Sequence, residues 1–127
     1  MSDHQSLAIV ASSAASILQN GALDVIIVNG FACQHELLQQ DMHASLDVNV
    51  IGVVNSINSF LPLILKGKAK KIMVISTGGA DPDLAVAYNL PYQFTMCVMK
   101  AALNIVVAKF AAELKSRHVK VLALSPG

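Results

Sequence analysis

Residues 71–76 read KIMVIS, a short apolar run that predicts a buried strand, and Thr77-Gly78-Gly79 supplies the turn that ends it. Residues 23–29 read LDVIIVN, a run rich in β-branched residues that is typical of a strand buried on both faces. Residues 119–124 read VKVLAL and predict a third strand. The chain segment before each run is long enough for a helix.

Helical periodicity fills these segments. Apolar residues recur at helical spacing over residues 4–19, 44–65 and 92–116, and Pro62 is expected to bend the last turn of the second helix. Residues 81–91 are predicted to form a loop, because turn-forming residues punctuate them. Helices that alternate with strands predict an α/β fold with parallel strands and right-handed crossovers. We expect one domain over residues 1–127, built as a three-layer core with three parallel strands flanked by helices.

The composition excludes several classes of partner. Hydrophobic residues make up 54% of the chain and charged residues 13%, a balance that argues against disorder. A net charge of +1 provides no basic field for nucleic acid. No signal peptide is evident, and no uninterrupted apolar run approaches the ~18–20 residues of a membrane helix. We therefore expect no nucleic-acid partner, no membrane association and a cytoplasmic location with Cys33 and Cys97 as free thiols, whose spacing does not suit a metal.

The fold signal is sharpest at residues 96–104, which read MCVMKAALN. This stretch resembles the Tyr-x-x-x-Lys-Ala-Ala-Leu-Asn stretch of the short-chain dehydrogenases/reductases, and the resemblance extends over nearly the whole chain. Four further stretches resemble landmarks of that family in the same order: residues 23–30, 47–52, 71–77 and 121–127. The fungal members of the family, which contain Ile-Ser-Thr-Gly and Ala-Lys-Phe segments, are the most similar to this chain in sequence.

The resemblance implies a set of polar groups above the carboxyl ends of the strands. Asn49 matches the catalytic asparagine of the family, Lys100 matches its lysine, and either Ser76 or Thr77 fills the position of its catalytic hydroxyl. The tyrosine position, where the family's proton donor or acceptor stands, holds Met96. A thioether has no proton to transfer and is a weak acceptor.

Tyr92 is the nearest candidate replacement for the lost phenol. It precedes Lys100 by eight residues, which on one helix is two turns, or roughly 12 Å along the axis. Only a loop could bring it closer. The alternative interpretation of Lys100 is structural, as a tether for a backbone carbonyl.

The resemblance also shows what this sequence lacks. The family begins with a strand and a Thr-Gly-x-x-x-Gly-x-Gly turn that holds the pyrophosphate of the cofactor. The glycines here, at positions 21, 30, 52, 67, 78, 79 and 127, do not form that pattern. The resemblance therefore implies a truncated Rossmann-like core that starts before the fourth family strand. We expect no cofactor, with NAD(P) only if another chain completes the site.

Three functions from different classes follow. The first is a degenerate family member, or pseudoenzyme, that binds a small apolar metabolite and either catalyses an isomerisation or cyclisation or acts without chemistry. The second is an NAD(P)-dependent oxidoreductase completed by another chain, and the third is a non-catalytic oligomerisation or regulatory module. We expect a homo-oligomer, formed through the helices at 44–65 and 92–116, as the resemblance implies, or through the exposed edge of the strand at 23–29.

Overall fold

The helices and strands follow the predicted order. The computed structural model describes residues 3–30, 39–89 and 93–126. The elements are α1 (His4–Ile17), β1 (Val25–Val28), α2 (Gln39–Leu46), α3 (Gly52–Lys66), β2 (Lys71–Ile75), α4 (Pro82–Ala87), α5 (Phe94–Leu114) and β3 (Lys120–Leu124). A π-helical segment, Asp47–Ile51, joins α2 to α3, and short 3-10 turns lie at Gln19–Gly21, Gly78–Ala80 and Lys115–Arg117.

The strands form one parallel sheet in the order β1-β2-β3, with Val28 beside Val74 and Val74 beside Ala123. The predicted Rossmann-like α/β fold with three parallel strands flanked by helices is therefore confirmed. Both crossovers step in the same direction along the sheet. Because such crossovers are right-handed, α3 and α5 lie on the same face of the sheet.

The core forms between that face and the two helices. Its fully buried side chains include Ile57 and Ile64 of α3, Ile72 of β2, and Leu103 and Leu114 of α5. Full burial of one such aliphatic side chain stabilises the fold by about 1.5–3 kcal/mol. Packing of α1 against α3 extends the helical layer.

The prediction that the first strand is buried on both faces is wrong. Val28 is buried, but Ile27 is 60% exposed. Side chains alternate between the two faces of a strand, and only the face of Val28 meets α3. The described residues thus contain two of the three predicted layers, the helices and the sheet.

Two local features differ from the sequence-based expectation. Part of the predicted loop forms α4, because Asp81 accepts hydrogen bonds from the backbone N–H groups of Asp83 and Leu84 and Pro82 occupies the first turn. The helix predicted over 44–65 starts earlier, at Gln39, and contains the π-helical segment. Pro62 lies inside α3, which continues to Lys66.

Two helical spans, Met42–Lys66 and Phe94–Arg117, are long and apolar enough to cross a membrane by length and composition alone. The expectation that the chain has no membrane helix rested on uninterrupted apolar runs alone. The length and composition of these two helical spans do not support it. The observation is weak evidence for a span, because core helices of soluble proteins pass the same test. Both spans contribute fully buried residues to the core described above, and the absence of membrane association stays a prediction.

The Asp24 side chain, at the start of β1, binds the turn that precedes β2. Without this carboxylate, the stability of the fold should depend less on pH in the acid range. The Oδ1 of Asp24 accepts hydrogen bonds from the backbone N–H groups of Lys68, at 2.6 Å, and Ala69, at 2.8 Å. These bonds, that of Ala69 first, lower the pKa of Asp24 because they favour the charged carboxylate. The stabilisation is present above the unfolded-state pKa, about 3.9, and is lost as the pH falls through the lower folded-state pKa.

We therefore expect Asp24→Asn to lower the melting temperature at neutral pH and to have a smaller effect in acid. Circular dichroism melts from neutral pH down to about pH 2 measure this. Asp83→Asn, on the exposed helix α4, is the control. A difference in melting temperature between wild type and Asp24→Asn that stays constant over the whole pH range would contradict the assignment.

Candidate functional site

The candidate site lies where β2 ends and α5 passes its carboxyl end. Ser76 directly follows β2 and is buried. Its hydroxyl donates a hydrogen bond to Asn104 Oδ1 at 2.7 Å, and its backbone N–H donates to the Leu124 carbonyl at 2.8 Å. Ser76 therefore ties β2 to α5 and β3.

Thr77 occupies a more accessible position. It is half-buried, and its Oγ1 accepts a hydrogen bond from the Gly79 N–H at 3.4 Å, which caps the turn Gly78–Ala80. The N–H of Gly78 donates to Ser125 Oγ at 3.1 Å, so the end of β3 holds this turn in place. A hydroxyl that accepts from the backbone still has its own proton to donate. Of the two candidate hydroxyls, that of Thr77 is thus the better placed to contact a ligand.

Lys100 points from α5 into the protein and is 4% exposed. Its Nζ donates a hydrogen bond to the Ile75 carbonyl at 2.9 Å, at the last residue of β2. Burial lowers the pKa of Lys100, because removal from water disfavours the ammonium form. The lysine therefore fills the tethering role considered for it and brings a titratable amine to the carboxyl end of the sheet.

Met96 lies one helical turn before Lys100 on α5 and is half-buried. Residues four apart share one face of a helix, so the methionine thioether and the lysine amine belong to the same side of α5. The glycine turn packs closely here, since a Cβ built on Gly79 would lie 2.9 Å from Cys97 Sγ. The thioether of Met96, one turn before Lys100, carries no proton that could be transferred.

Asn49 is buried within the π-helical segment, and its Nδ2 donates a hydrogen bond to the Ser45 carbonyl at 2.9 Å. Single π-helical turns frequently occur at functional sites. The segment packs against α5, as do the Gly78–Ala80 turn and β3. Helix α5 is thus the common support of the elements that carry Asn49, Ser76, Thr77 and Lys100.

Two tyrosines are candidates for the missing phenol. Tyr92 lies outside the described residues, and Tyr88 follows α4 with 70% of its surface exposed. Two polar partners were missed in the sequence. Asn104, the partner of Ser76, follows Lys100 by four residues and therefore lies on the same face of α5, a spacing that could have indicated it. Ser125 shows no signal beyond its place in a turn.

Parallel strands joined by helical crossovers, with polar side chains at their carboxyl ends, are typical of the Rossmann-like α/β proteins. The family model described as Enoyl-(Acyl carrier protein) reductase matches residues 1–127. A short-chain dehydrogenase/reductase, atnB, from an Arthrinium species is 34% identical over all of this chain and 53% of its own length. A second, AacuF from Aspergillus aculeatus, is 41% identical over 72% of this chain and 35% of its own length. The chain belongs to the short-chain dehydrogenase/reductase family and is similar to fungal members of it.

Solved structures confirm the fold. The NADPH-bound carbonyl reductase from chicken fatty liver superposes with a TM-score of 0.90 at 20% identity, over 99% of this chain and 54% of the reductase. An enoyl-(acyl-carrier-protein) reductase from Anaplasma phagocytophilum in complex with NAD superposes with a TM-score of 0.84 at 22% identity, over 99% of this chain and 48% of that reductase. This chain therefore spans about half the length of those proteins or of its first fungal relative.

The fold family implies a nicotinamide dinucleotide, and the described residues do not fit one by themselves. Pyrophosphate binding needs a glycine-rich turn that opens a helix N-terminus directly after a strand. Among the described residues the turn after β2 leads into the three-residue segment Gly78–Ala80 and then into the short helix α4. That turn does not supply the cradle. The described part of the chain also contains no cluster of three or more His, Cys, Asp or Glu side chains for a metal.

Proposed function

We propose that this family member binds a small apolar metabolite at the carboxyl ends of β2 and β3 and does not itself transfer hydride. The observation that carries the proposal is Met96, which stands one turn before Lys100 where the family resemblance expects a tyrosine. Hydride transfer to a carbonyl needs a proton donor at the oxygen, and a thioether supplies none. The incomplete pyrophosphate cradle supports the same conclusion.

The surroundings of the Gly78–Ala80 turn favour an apolar ligand. Leu84 Cδ1 would lie 3.9 Å from a Cβ built on Gly78, so α4 borders the turn. Leu84 on α4, Tyr88 directly after it and Phe94 at the start of α5 are 40%, 70% and 55% exposed. A ligand of this kind would bury apolar area there and direct its polar atom toward the hydroxyl of Thr77.

Such a site suits a non-redox step. The Thr77 hydroxyl can donate a hydrogen bond to a carbonyl oxygen, and a buried amine of lowered pKa, as at Lys100, stabilises a developing negative charge. Isomerisation or cyclisation needs only this polarisation and the movement of a proton within the substrate. Binding without chemistry, as in a pseudoenzyme, would use the same contacts. Asn49 would act as a positioning residue through the segment that packs on α5.

A second candidate is an NAD(P)-dependent oxidoreductase whose site another chain completes. The names of the relatives favour it, because they are dehydrogenases and reductases that are about twice as long as this chain. This candidate needs a second polypeptide to provide both a pyrophosphate cradle and a proton donor.

Self-association remains part of the proposal. Ile51 and Ile105 are 42% and 64% exposed on the helical layer, and the outer edge of β1 has no described neighbour. Either surface would support a homo-oligomer or a non-catalytic regulatory module in the cytoplasm. Light scattering that shows a stable monomer at micromolar concentration would contradict this.

The test of the proposed function is titration with NADPH and with NADH, followed by nicotinamide fluorescence. We expect no saturable binding up to about 1 mM, equivalent to less than about 4 kcal/mol of binding free energy. Met96→Tyr restores a phenol but not a cofactor site, so it should show no NADPH oxidation with apolar ketones. Micromolar binding by wild type, or ketone reduction by Met96→Tyr, would overturn the proposal and favour the oxidoreductase.

A further inference from the structure

A groove of about 410 Å³ lies between α1 and α3, the two helices that pack against each other in the helical layer. Sites for small ligands have volumes of about 300–1,000 Å³, so the groove has room for a small molecule. None of its lining residues belongs to the candidate site at the carboxyl ends of the strands. The groove is therefore a separate feature of the fold.

Small side chains on α1 form one wall of the groove. Ala8, Ala11 and Ala15 recur at spacings of three and four, so they lie on one face of the helix. Pro62 and Leu63 of α3 belong to the opposite wall. The alanine methyl groups leave space that larger side chains would fill where two helices pack. The apolar walls favour a ligand whose body is a hydrocarbon.

The wall on α3 also carries a buried hydroxyl that lacks a partner. Ser59 lines the groove, and its Oγ is buried and forms no hydrogen bond with any residue that the structure describes. Ser56, one turn earlier, shows the usual arrangement, because its hydroxyl donates to the Gly52 carbonyl at 2.7 Å. Buried polar groups in folded proteins are hydrogen-bonded in the large majority of cases, so the Ser59 hydroxyl indicates a partner outside the chain. Rotation about one side-chain bond can turn this hydroxyl into the groove.

Pro62 leaves a second polar group at the same level of α3. Proline has no N–H, so the carbonyl of Asn58, four residues earlier, lacks its helical donor. Asn58 also lines the groove, and it directly precedes Ser59. A hydroxyl group both donates and accepts hydrogen bonds. One ligand hydroxyl can therefore donate to the Asn58 carbonyl and accept from Ser59.

The charge at the far end of the groove favours a neutral ligand. Both helices lead into strands of one parallel sheet, so they run in the same direction and their carbonyl ends lie at the same end of the groove. Lys66 Nζ and the Ala15 carbonyl oxygen lie 3.4 Å and 3.5 Å from the place that a Cβ on Gly21 would occupy. A cation is favoured near the carbonyl end of a helix, whereas an anion is disfavoured there. The ammonium of Lys66 thus serves the helix ends and does not call for an anionic ligand.

We propose that the groove between α1 and α3 binds a small, uncharged apolar molecule that bears one hydroxyl group, such as an alkylphenol. The ligand hydroxyl accepts a hydrogen bond from Ser59 and donates one to the Asn58 carbonyl. The hydrocarbon body lies against Ala11 and Pro62. This inference goes beyond the proposed function and does not depend on it, because the two sites have no residue in common.

The probe for this site is para-propylphenol, which is uncharged at neutral pH. It is titrated into the isotope-labelled full chain, and amide chemical shifts are followed by NMR. We expect saturable shifts along α1 and α3 with a Kd of about 1 mM or lower. The methyl ether of the probe cannot donate a hydrogen bond and should bind about fivefold more weakly. Ser59→Ala should weaken binding of the phenol by about the same factor.

Ser12→Leu and Ser13→Leu form a matched pair, because they place the same side chain at adjacent exposed positions of α1. Ser12 lines the groove and Ser13 does not. Leucine at position 12 should fill the groove and weaken binding about tenfold or more, whereas Ser13→Leu should bind the phenol as wild type does. Circular dichroism melts check that every variant is folded.

Four results would overturn the proposal. The first is an absence of shifts along α1 and α3, and the second is a set of shifts confined to the Gly78–Ala80 turn, which would place the probe at the candidate site alone. The third is an affinity that Ser12→Leu does not change. The fourth is equal binding of the phenol and its ether with no effect of Ser59→Ala, which would mean that a water molecule is the partner of the Ser59 hydroxyl.

Discussion

Gly67→Ala is expected to lower the free energy of unfolding by about 3 kcal/mol or more, a large share of the total for a small domain. Gly67 ends α3, and a Cβ built there would lie 2.2 Å from the Leu23 carbonyl oxygen and 2.8 Å from its carbon. Both are backbone atoms and cannot rotate away. The backbone of Gly67, with φ of −68° and ψ of 162°, suits alanine, so the clash and not the dihedral angles is the cause.

The clash would separate the end of α3 from the segment that enters β1. That segment is held by the hydrogen bond from the Leu23 N–H to the Leu63 carbonyl, at 3.0 Å. Because the chain has no tryptophan, urea unfolding is best followed by circular dichroism. Gly78→Ala is the control, since the nearest atoms to its Cβ would be 3.9 and 4.0 Å away. Equal unfolding midpoints for the two variants would refute the assignment.

Periodicity predicted the long elements well because it reflects burial on one side of a regular structure. The helix predicted over 92–116 is α5, Phe94–Leu114, and the strand predicted over 71–76 is β2. Helix α4 was missed because six residues are too few to show a period, although Asp81 and Pro82 carry its start signal. The π-helical segment adds a residue to one turn, which an apolar pattern does not reveal.

The exposed face of β1 marks a different limit of the sequence. Val25 and Ile27 have the composition of a doubly buried strand, and that composition records suitability for burial rather than the presence of a covering layer. Handedness of the crossovers decides that α3 and α5 share a face. The apolar pattern of β1 does not record which of its two faces those helices cover.

The candidate site shows the same division between local and distant information. The relation of Met96 to Lys100 follows from a spacing of four on one helix and could be predicted. The bond from Ser76 to Asn104 joins residues 28 apart, and that from Gly78 to Ser125 joins residues 47 apart. Neither bond follows from local spacing, so only the folded chain indicates which of Ser76 and Thr77 is better placed for a ligand. The chemical role of these residues stays a prediction.

Lys100→Met is expected to raise the stability at neutral pH while it abolishes ligand binding. Lys100 is buried, and removal of an ion from water costs several kcal/mol, a cost that a methionine side chain of similar volume does not carry. The hydrogen bond to the Ile75 carbonyl is lost, at a cost of about 1 kcal/mol or slightly more. We expect the relief of the buried charge to exceed this cost and to stabilise the variant by about 1 kcal/mol at neutral pH.

The pH dependence separates this explanation from simple repacking. The pKa of Lys100 is lower in the folded protein than in the unfolded chain, where it is about 10.4. The unfolded state therefore binds more protons between these two pKa values, so wild type gains stability as the pH rises through them. The advantage of Lys100→Met should shrink as the pH approaches about 10.4. Lys109→Met, at an exposed position of α5, is the control and should show no such trend.

The same variant tests whether the lysine is kept for function. Thermal-shift assays with a panel of apolar cyclic ketones should raise the melting temperature of wild type and of Lys109→Met, and should leave Lys100→Met unchanged. A residue that costs stability and is needed for binding is expected at a functional site. If Lys100→Met lost stability at every pH and kept its ketone response, the lysine would be a structural tether only, and the ligand site would have to be sought elsewhere.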